Sequence, residues 1–144
     1  MSLLDQFKSR REEEARENLR AGQEFLKENA HKAGVVSLPS GLQYEVLVQG
    51  AGEKPLLHHT VTCHYHGTLI NGEVFDSSVL RGQPASFPLN AVIKGWVEAL
   101  QLMPTGSKWR LFIPSNLGYG DRQVSAKIAA NSTLVFEVEL ISFR

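Results

Sequence analysis

From Thr60 to Leu69 the chain alternates: Val61, Cys63 and Tyr65 face one way, and Thr60, Thr62, His64 and His66 the other. A period of two marks a strand with one buried face. Asn71-Gly72 follows at once. That dipeptide is the strongest short hairpin signal and predicts a two-residue type I′ turn. Val74-Phe75-Asp76 then begins the return strand. A chain built this way contains an antiparallel sheet with one face turned to a core and the other to water.

Further strands extend the pattern. Leu42–Gln49 lies between the Pro39-Ser40-Gly41 turn and the Gly50-Ala51-Gly52 break. Ser86–Leu89 reads as a short extended piece, and Lys108–Ile113 puts Trp109, Leu111 and Ile113 on one face. In Thr133–Ile141, Leu134, Phe136, Val138 and Leu140 face in, while Glu137 and Glu139 face out. Asn90 is placed to cap a helix holding Trp96, Ala99, Leu100 and Met103 that stops at Pro104. Residues 114–132 have no strong periodicity, and loops of that length in a compact domain are usually functional. Five or so mostly antiparallel strands covering one helix define an α+β fold.

The first 33 residues differ in kind. They carry 14 charges, 7 of each sign, against 16 charges in the remaining 111 residues. They hold no proline, and Gly22 is their only glycine. Lys8 and Glu12, Arg10 and Glu14, Glu12 and Arg16, Arg20 and Glu24, and Glu28 and Lys32 stand four apart, each such pair adding ~0.2–0.5 kcal/mol to a helix. An apolar stripe is expected at Leu19, Gly22, Leu26, Ala30 and Ala33, and Leu4 with Phe7 forms a second patch. One long helix over 4–33 is predicted, wet on all sides in its middle and ended by Gly34 as C′ residue. The division is then residues 1–38, a charged helix acting as spacer or remnant of a dimerisation region, and 39–144, the main domain. Met1-Ser2-Leu3 reads as an expression leader, with the native chain beginning upstream.

Composition removes several functions. A length of 144 residues fits one domain with an appendage. Fifteen basic and fifteen acidic residues cancel, which argues against an electrostatic grip on nucleic acid or anionic lipid. No apolar run approaches the ~18 residues of a membrane span. The single cysteine, Cys63, excludes an internal disulfide and a cysteine-based zinc finger.

Conventional catalysis lacks a candidate. His64 and His66 share a strand face at metal-clamp spacing, but no Cys, Asp or Glu accompanies them at ligand spacing on that face, so no metal and no cofactor are expected. Alternation sends Cys63 inward and His64 outward, so they form no nucleophile pair; a buried thiol is packing. Gly-x-Ser-x-Gly and phosphate-binding glycine loops are absent from the sequence. What remains is an aromatic set, Tyr65, Phe75, Trp96, Tyr119 and Phe136, with Val92, Ile93 and Asp76 beside it. On pattern alone these residues fit either a hydrophobic core or an apolar pocket with few polar tips.

A resemblance sharpens the choice. Cys63-His-Tyr-His-Gly-Thr-Leu69, Asn71-Gly72 and Val74-Phe75-Asp76-Ser77-Ser78 resemble the FKBP-type peptidyl-prolyl isomerases. So do Val92-Ile-Lys-Gly-Trp96, Ile113-Pro-Ser-Asn-Leu-Gly-Tyr-Gly120 and Thr133-Leu-Val-Phe-Glu-Val-Glu-Leu140, all in the family's order over about residues 40–142. Ala21–Ala30 before Ser40-Gly-Leu-Gln43 is similar to the bacterial branch that includes the macrophage infectivity potentiator proteins, in which a long helix joins the isomerase domain to a dimerisation region.

The resemblance implies an antiparallel half-barrel sheet of five or six strands wrapped on one short helix, and a proline pocket. Trp96 would be the floor, with Tyr65, Phe75, Val92, Ile93 and Phe136 as walls. Asp76 would be the polar group at the wall, buttressed by Arg81. Tyr119 would donate its hydroxyl to a carbonyl, and Phe87 and Ile128 would help close the site. The implied activity is rotation of X-Pro bonds in proline-containing polypeptides without covalent catalysis, blocked by macrolides such as rapamycin. The implied setting is a bacterial cytoplasm, periplasm or cell envelope. Two departures stand out. Residues 121–131 contain neither Gly nor Pro where relatives are rich in both, which predicts a reshaped loop. Ala85 replaces a common bulky aromatic and should open one wall. A monomer or weak homodimer through the N-terminal helix is expected, since residues 1–33 are too short and polar for a large interface. The competing readings are a non-catalytic peptide-binding or chaperone module using the same groove, and a scaffold whose helix is the functional part.

Overall fold

The computed structural model describes residues 2–144. Its elements run α1 (Leu3–Asn29), β1 (Val35–Ser37), β2 (Gln43–Val48), β3 (Thr60–Leu69), β4 (Val74–Ser77), α2 (Ser78–Arg81), β5 (Ala85–Pro88), α3 (Lys94–Leu102), β6 (Lys108–Ile113) and β7 (Leu134–Phe143). One antiparallel sheet has the order β1-β2-β6-β7-β3-β4, with β5 pairing β3. It has seven strands rather than five or six, because Val35–Ser37 adds a short edge strand beside β2.

Period-two alternation sets the core. Val61, Cys63 and Tyr65 of β3, Trp109, Leu111 and Ile113 of β6, and Leu134, Phe136, Val138 and Leu140 of β7 are all buried. They close on Trp96, Ala99 and Leu100 of α3. The central β3–β7 pairing, His66 against Glu137 and His64 against Glu139, joins strands that lie far apart in the chain.

Three local expectations change. The hairpin after β3 has a three-residue loop: Leu69 N–H donates to Glu73 O, and Gly72 N–H to Leu69 O. Gly72 holds φ +90° while Asn71 is not in the left-handed region, so the turn is a type I turn followed by a glycine bulge. A type I′ turn would need both residues there. Asn90 lies in a short 3₁₀ turn, Leu89–Ala91, and α3 begins later, with Ile93 as N-cap and no side-chain cap. The N-terminal helix ends at Asn29 and not at 33. Gln43 Nε2 donates to Leu26 O and Asn29 Nδ2 to Gln43 Oε1, which ties off the last turn from β2. The chain then tightens into successive turns, with Gly34 at φ +85°, and delivers β1 to the sheet.

The docked face of α1 also differs from the expected stripe. Leu19, Ala30 and Ala33 are exposed, whereas Ala15, Asn18, Ala21, Gly22, Phe25, Leu26 and Asn29 face the domain. Phe25 meets Phe112 of β6 with ring centroids 6.1 Å apart. Residues 15–18 are thus not wet on all sides. Among the described residues the only helix ion pair is Arg20 with Glu17, one turn back, in place of the five pairs at spacing four.

Candidate active site

One cavity of about 430 Å³ gathers the aromatic set. Tyr65 comes from β3, Phe75 and Asp76 from β4, Phe87 from β5, and Phe136 from β7. Val92 and Ile93 come from the segment leading into α3 and Trp96 from its first turn, and Tyr119 and Ile128 from the loop between β6 and β7. Ala91, Val124 and Ser125 complete the lining and were not singled out from sequence. They belong to irregular segments, where no period marks a facing side chain. Arg81 does not line the cavity. Nor does Ala85, so the expected opening of a wall there is not found: β5 presents Phe87 instead.

Trp96 is the hub. Its ring stands edge-on to Tyr65 at 5.4 Å, Phe87 at 5.7 Å and Phe136 at 5.3 Å. Phe75 meets Phe136 at 5.3 Å and 86°. Edge-to-face pairs of this kind add ~0.5–1.5 kcal/mol each beyond area burial, so the basin is preformed and stiff. Gly67 makes the arrangement possible. A Cβ there would lie 2.7 Å from both Phe136 and Phe75 ring atoms.

The polar tips are few and fixed. Tyr65 Oη donates to Asp76 Oδ2 at 2.8 Å, Arg81 Nη2 donates to Tyr65 Oη at 2.7 Å, and Arg81 Nη1 donates to Asp76 Oδ1. Burial would raise the Asp76 carboxyl, but the bonds from Arg81 and Tyr65 and the Arg81 charge outweigh it and hold it below the usual range. Asp76 is therefore an anion that accepts hydrogen bonds, with no proton to give. Burial, and then the Asp76 charge, raise Tyr119 above the usual phenol value, so its hydroxyl remains a donor. Neither Tyr119 Oη nor the Ile93 N–H makes a hydrogen bond within the described chain. Ser125 Oγ accepts from the Lys127 and Ile128 N–H groups at 3.2 and 3.1 Å, a local turn in the loop.

Other candidates take structural places. Cys63 is buried and its thiol is pushed up to about 12 by burial. On the opposite face the register supplies the carboxylates that β3 itself lacks, setting Glu139 beside His64 and Glu137 beside His66. The histidines bond Ser78 and Ser77 through Nδ1, and Glu137 accepts from Arg110. Among the described residues no group of three or more such side chains is arranged to hold a metal ion.

An open antiparallel sheet folded on one short helix, with an aromatic basin between helix, sheet and a long loop, defines an α+β domain with one ligand-sized apolar pocket. A family model described as FKBP-type peptidyl-prolyl cis-trans isomerase matches residues 51–141. A second, the domain amino terminal to that isomerase, matches residues 1–46. The chain belongs to the FKBP-type peptidyl-prolyl cis-trans isomerase family.

It is 58% identical over 120 residues to the FKBP-type 22 kDa peptidyl-prolyl cis-trans isomerase of Escherichia coli (strain K12), covering 83% of this chain and 58% of that one. It is 52% identical over 130 residues to the outer membrane protein MIP of Legionella longbeachae, covering 90% and 56%. The crystal structure of FkpA from Escherichia coli superposes with TM-score 0.91 at 42% identity, covering 95% of this chain and 64% of that one. The chain thus spans somewhat over half the length of the two curated relatives. No helix among the described residues is long and apolar enough to cross a membrane.

Proposed function

We propose that this chain binds X-Pro segments of polypeptides in the aromatic basin and accelerates rotation about the X-Pro bond. The observation that carries this reading is the composition of the basin. It has a stiff aromatic floor at Trp96, whose own Nε1–H is buried and unpartnered, one carboxylate already committed to Tyr65 and Arg81, and two further unpartnered donors, Tyr119 Oη and the Ile93 N–H.

The reaction suits such a site. Rotation is opposed by amide resonance, with a barrier of ~18–20 kcal/mol, and needs no bond made or broken. Uncatalysed, it takes ~10–100 s. The twisted amide loses resonance and carries less charge on its oxygen. A dry pocket favours it over the planar, better-solvated ground state. Burial of the proline ring against Trp96 supplies binding energy that holds the twist. Tyr119 and the Ile93 N–H fix the carbonyls on either side, and Asp76 orders the wall through its bonds to Tyr65 and Arg81. Macrolides such as rapamycin fit the same basin. The exposed first part of α1, residues 3–14, acts as a spacer, while the rest of the helix and β1 belong to the domain, leaving a monomer or a weak homodimer through α1.

The test is cis-to-trans isomerisation of a short X-Pro peptide, with and without rapamycin, beside Asp76→Ala and Tyr119→Phe. Acceleration that rapamycin blocks and both variants weaken is expected. Binding without acceleration would leave a peptide-binding module instead.

A further inference from the structure

The loop 121–131 carries Ile128 and with it one side of the basin, and it leaves and rejoins the fold at one point. The Asn131 N–H donates to Gly120 O at 2.8 Å, which closes the loop one residue past Tyr119. Asn131 holds φ +61° and is the one non-glycine residue with positive φ among the described residues. Asparagine tolerates that region better than most side chains. Its side chain reaches out of the loop, with Nδ2 donating to Ala15 O of α1 at 3.1 Å. Asn18 of α1 returns the contact, its Nδ2 donating to Ala130 O at 3.1 Å. Two reciprocal amide bonds therefore join the middle of the helix to the foot of the loop.

Nothing in the helix itself calls for this. Asparagine is a weak helix former, and its amide competes with the backbone. Residue 18 lies in the charged stretch, where its neighbours Arg16, Glu17 and Leu19 are exposed and it alone turns to the domain. The foot of the loop, by contrast, has Tyr119 on one side and Ile128 on the other, both of which line the basin.

We propose that Asn18 and Asn131 are positioning residues for the proline site: through them α1 holds the foot of the loop, and so Tyr119 and Ile128, in the arrangement a bound polypeptide requires. The inference rests on the isomerase reading above. A site whose competent arrangement is populated only in part binds with its affinity reduced by that fraction. The clamp raises the fraction. Loosening it acts on binding and leaves rotation in the bound complex nearly unchanged.

The experiment uses the full chain with Asn18→Ala, and separately Asn131→Gly. Alanine strengthens a helix intrinsically, so the first variant loosens the loop without weakening α1. Glycine accepts the left-handed backbone, so the second removes the side-chain bond without straining residue 131. Hydrogen exchange at the Ile128 amide is expected to rise about tenfold in both, with Trp96 unchanged. KM for an X-Pro peptide and Kd for rapamycin are expected to rise about two- to tenfold, the scale of one neutral hydrogen bond, with kcat within about twofold. Unchanged Ile128 exchange in both variants overturns the proposal, as does a loss confined to kcat. Should the unaltered chain fail to accelerate rotation, the isomerase reading falls and the exchange measurement alone decides the clamp.

Discussion

Tyr65 and Asp76, on neighbouring strands, are joined by a hydrogen bond from the phenol to Oδ2 at 2.8 Å. Arg81 bonds both groups and closes a three-membered ring of polar side chains at the rim of an otherwise apolar basin. Burial works against the Asp76 anion, but the bonds from Arg81 and Tyr65 and the Arg81 charge win, so its folded pKa is depressed.

A depressed carboxyl stabilises the fold only while it is ionised. The contribution is complete above the unfolded value of about 3.9 and is lost as pH falls through the lower folded value. The stability difference between the native chain and Asp76→Asn is therefore expected to be flat from about pH 5 to 8 and to shrink below about pH 4. The Asp76 and Arg81 side chains are 44% and 53% exposed, so the ion pair contributes less than about 1 kcal/mol and weakens in salt. Urea midpoints at several pH values check this. A difference that vanishes by pH 6 would sink it.

Gly67→Ala is expected to damage fold and site together. The added methyl would sit 2.7 Å from ring atoms of Phe75 and Phe136, which are held by their own edge-to-face contacts. Overpacking of this kind costs about 1–3 kcal/mol. Displacing either ring also shifts the wall against Trp96. Denaturant unfolding and rapamycin titration should both move. A stable variant with unaltered binding would show that the rings yield freely.

Sequence and structure agree best where one period governs. The alternation at Thr60–Leu69 and Lys108–Ile113 returns as β3 and β6 with the same bounds and faces. The basin residues lie on four strands, a helix start and a loop, and only motif order, not periodicity, could group them. The docked face of α1 stayed hidden because two of its members, Asn18 and Asn29, are polar, and hydropathy counts such residues as solvent-facing. Asn71-Gly72 announced a turn but not its type, since the same dipeptide serves a two-residue loop and a bulged three-residue one. The pairing of His66 with Glu137 depends on which distant strands become neighbours, which no local window contains.

Cys63 is expected to be inert in the native chain. It is fully buried on β3, and burial pushes its thiol up to about 12, so almost no thiolate exists at pH 8. Thiol reagents at pH 8 should label it only after denaturation. Rapid stoichiometric labelling of folded protein would mean that β3 opens locally or that the thiol is not buried.

Gly22→Ala separates a docked helix from a solvated one by sign. On a solvated helix, alanine in place of glycine stabilises by about 0.5–1 kcal/mol. Here a Cβ on residue 22 would lie 2.1 Å from Thr133 Oγ1 and 3.1 Å from its Cβ, and Thr133 is buried just before the last strand. The clash outweighs the propensity gain, and a net loss of about 1–3 kcal/mol is expected. Thr133→Ala removes the nearest atom, so the double variant should recover most of that loss, more than the two single changes would give independently. A stabilised Gly22→Ala, or a double variant that is simply additive, would mean that α1 does not rest on the sheet at this point.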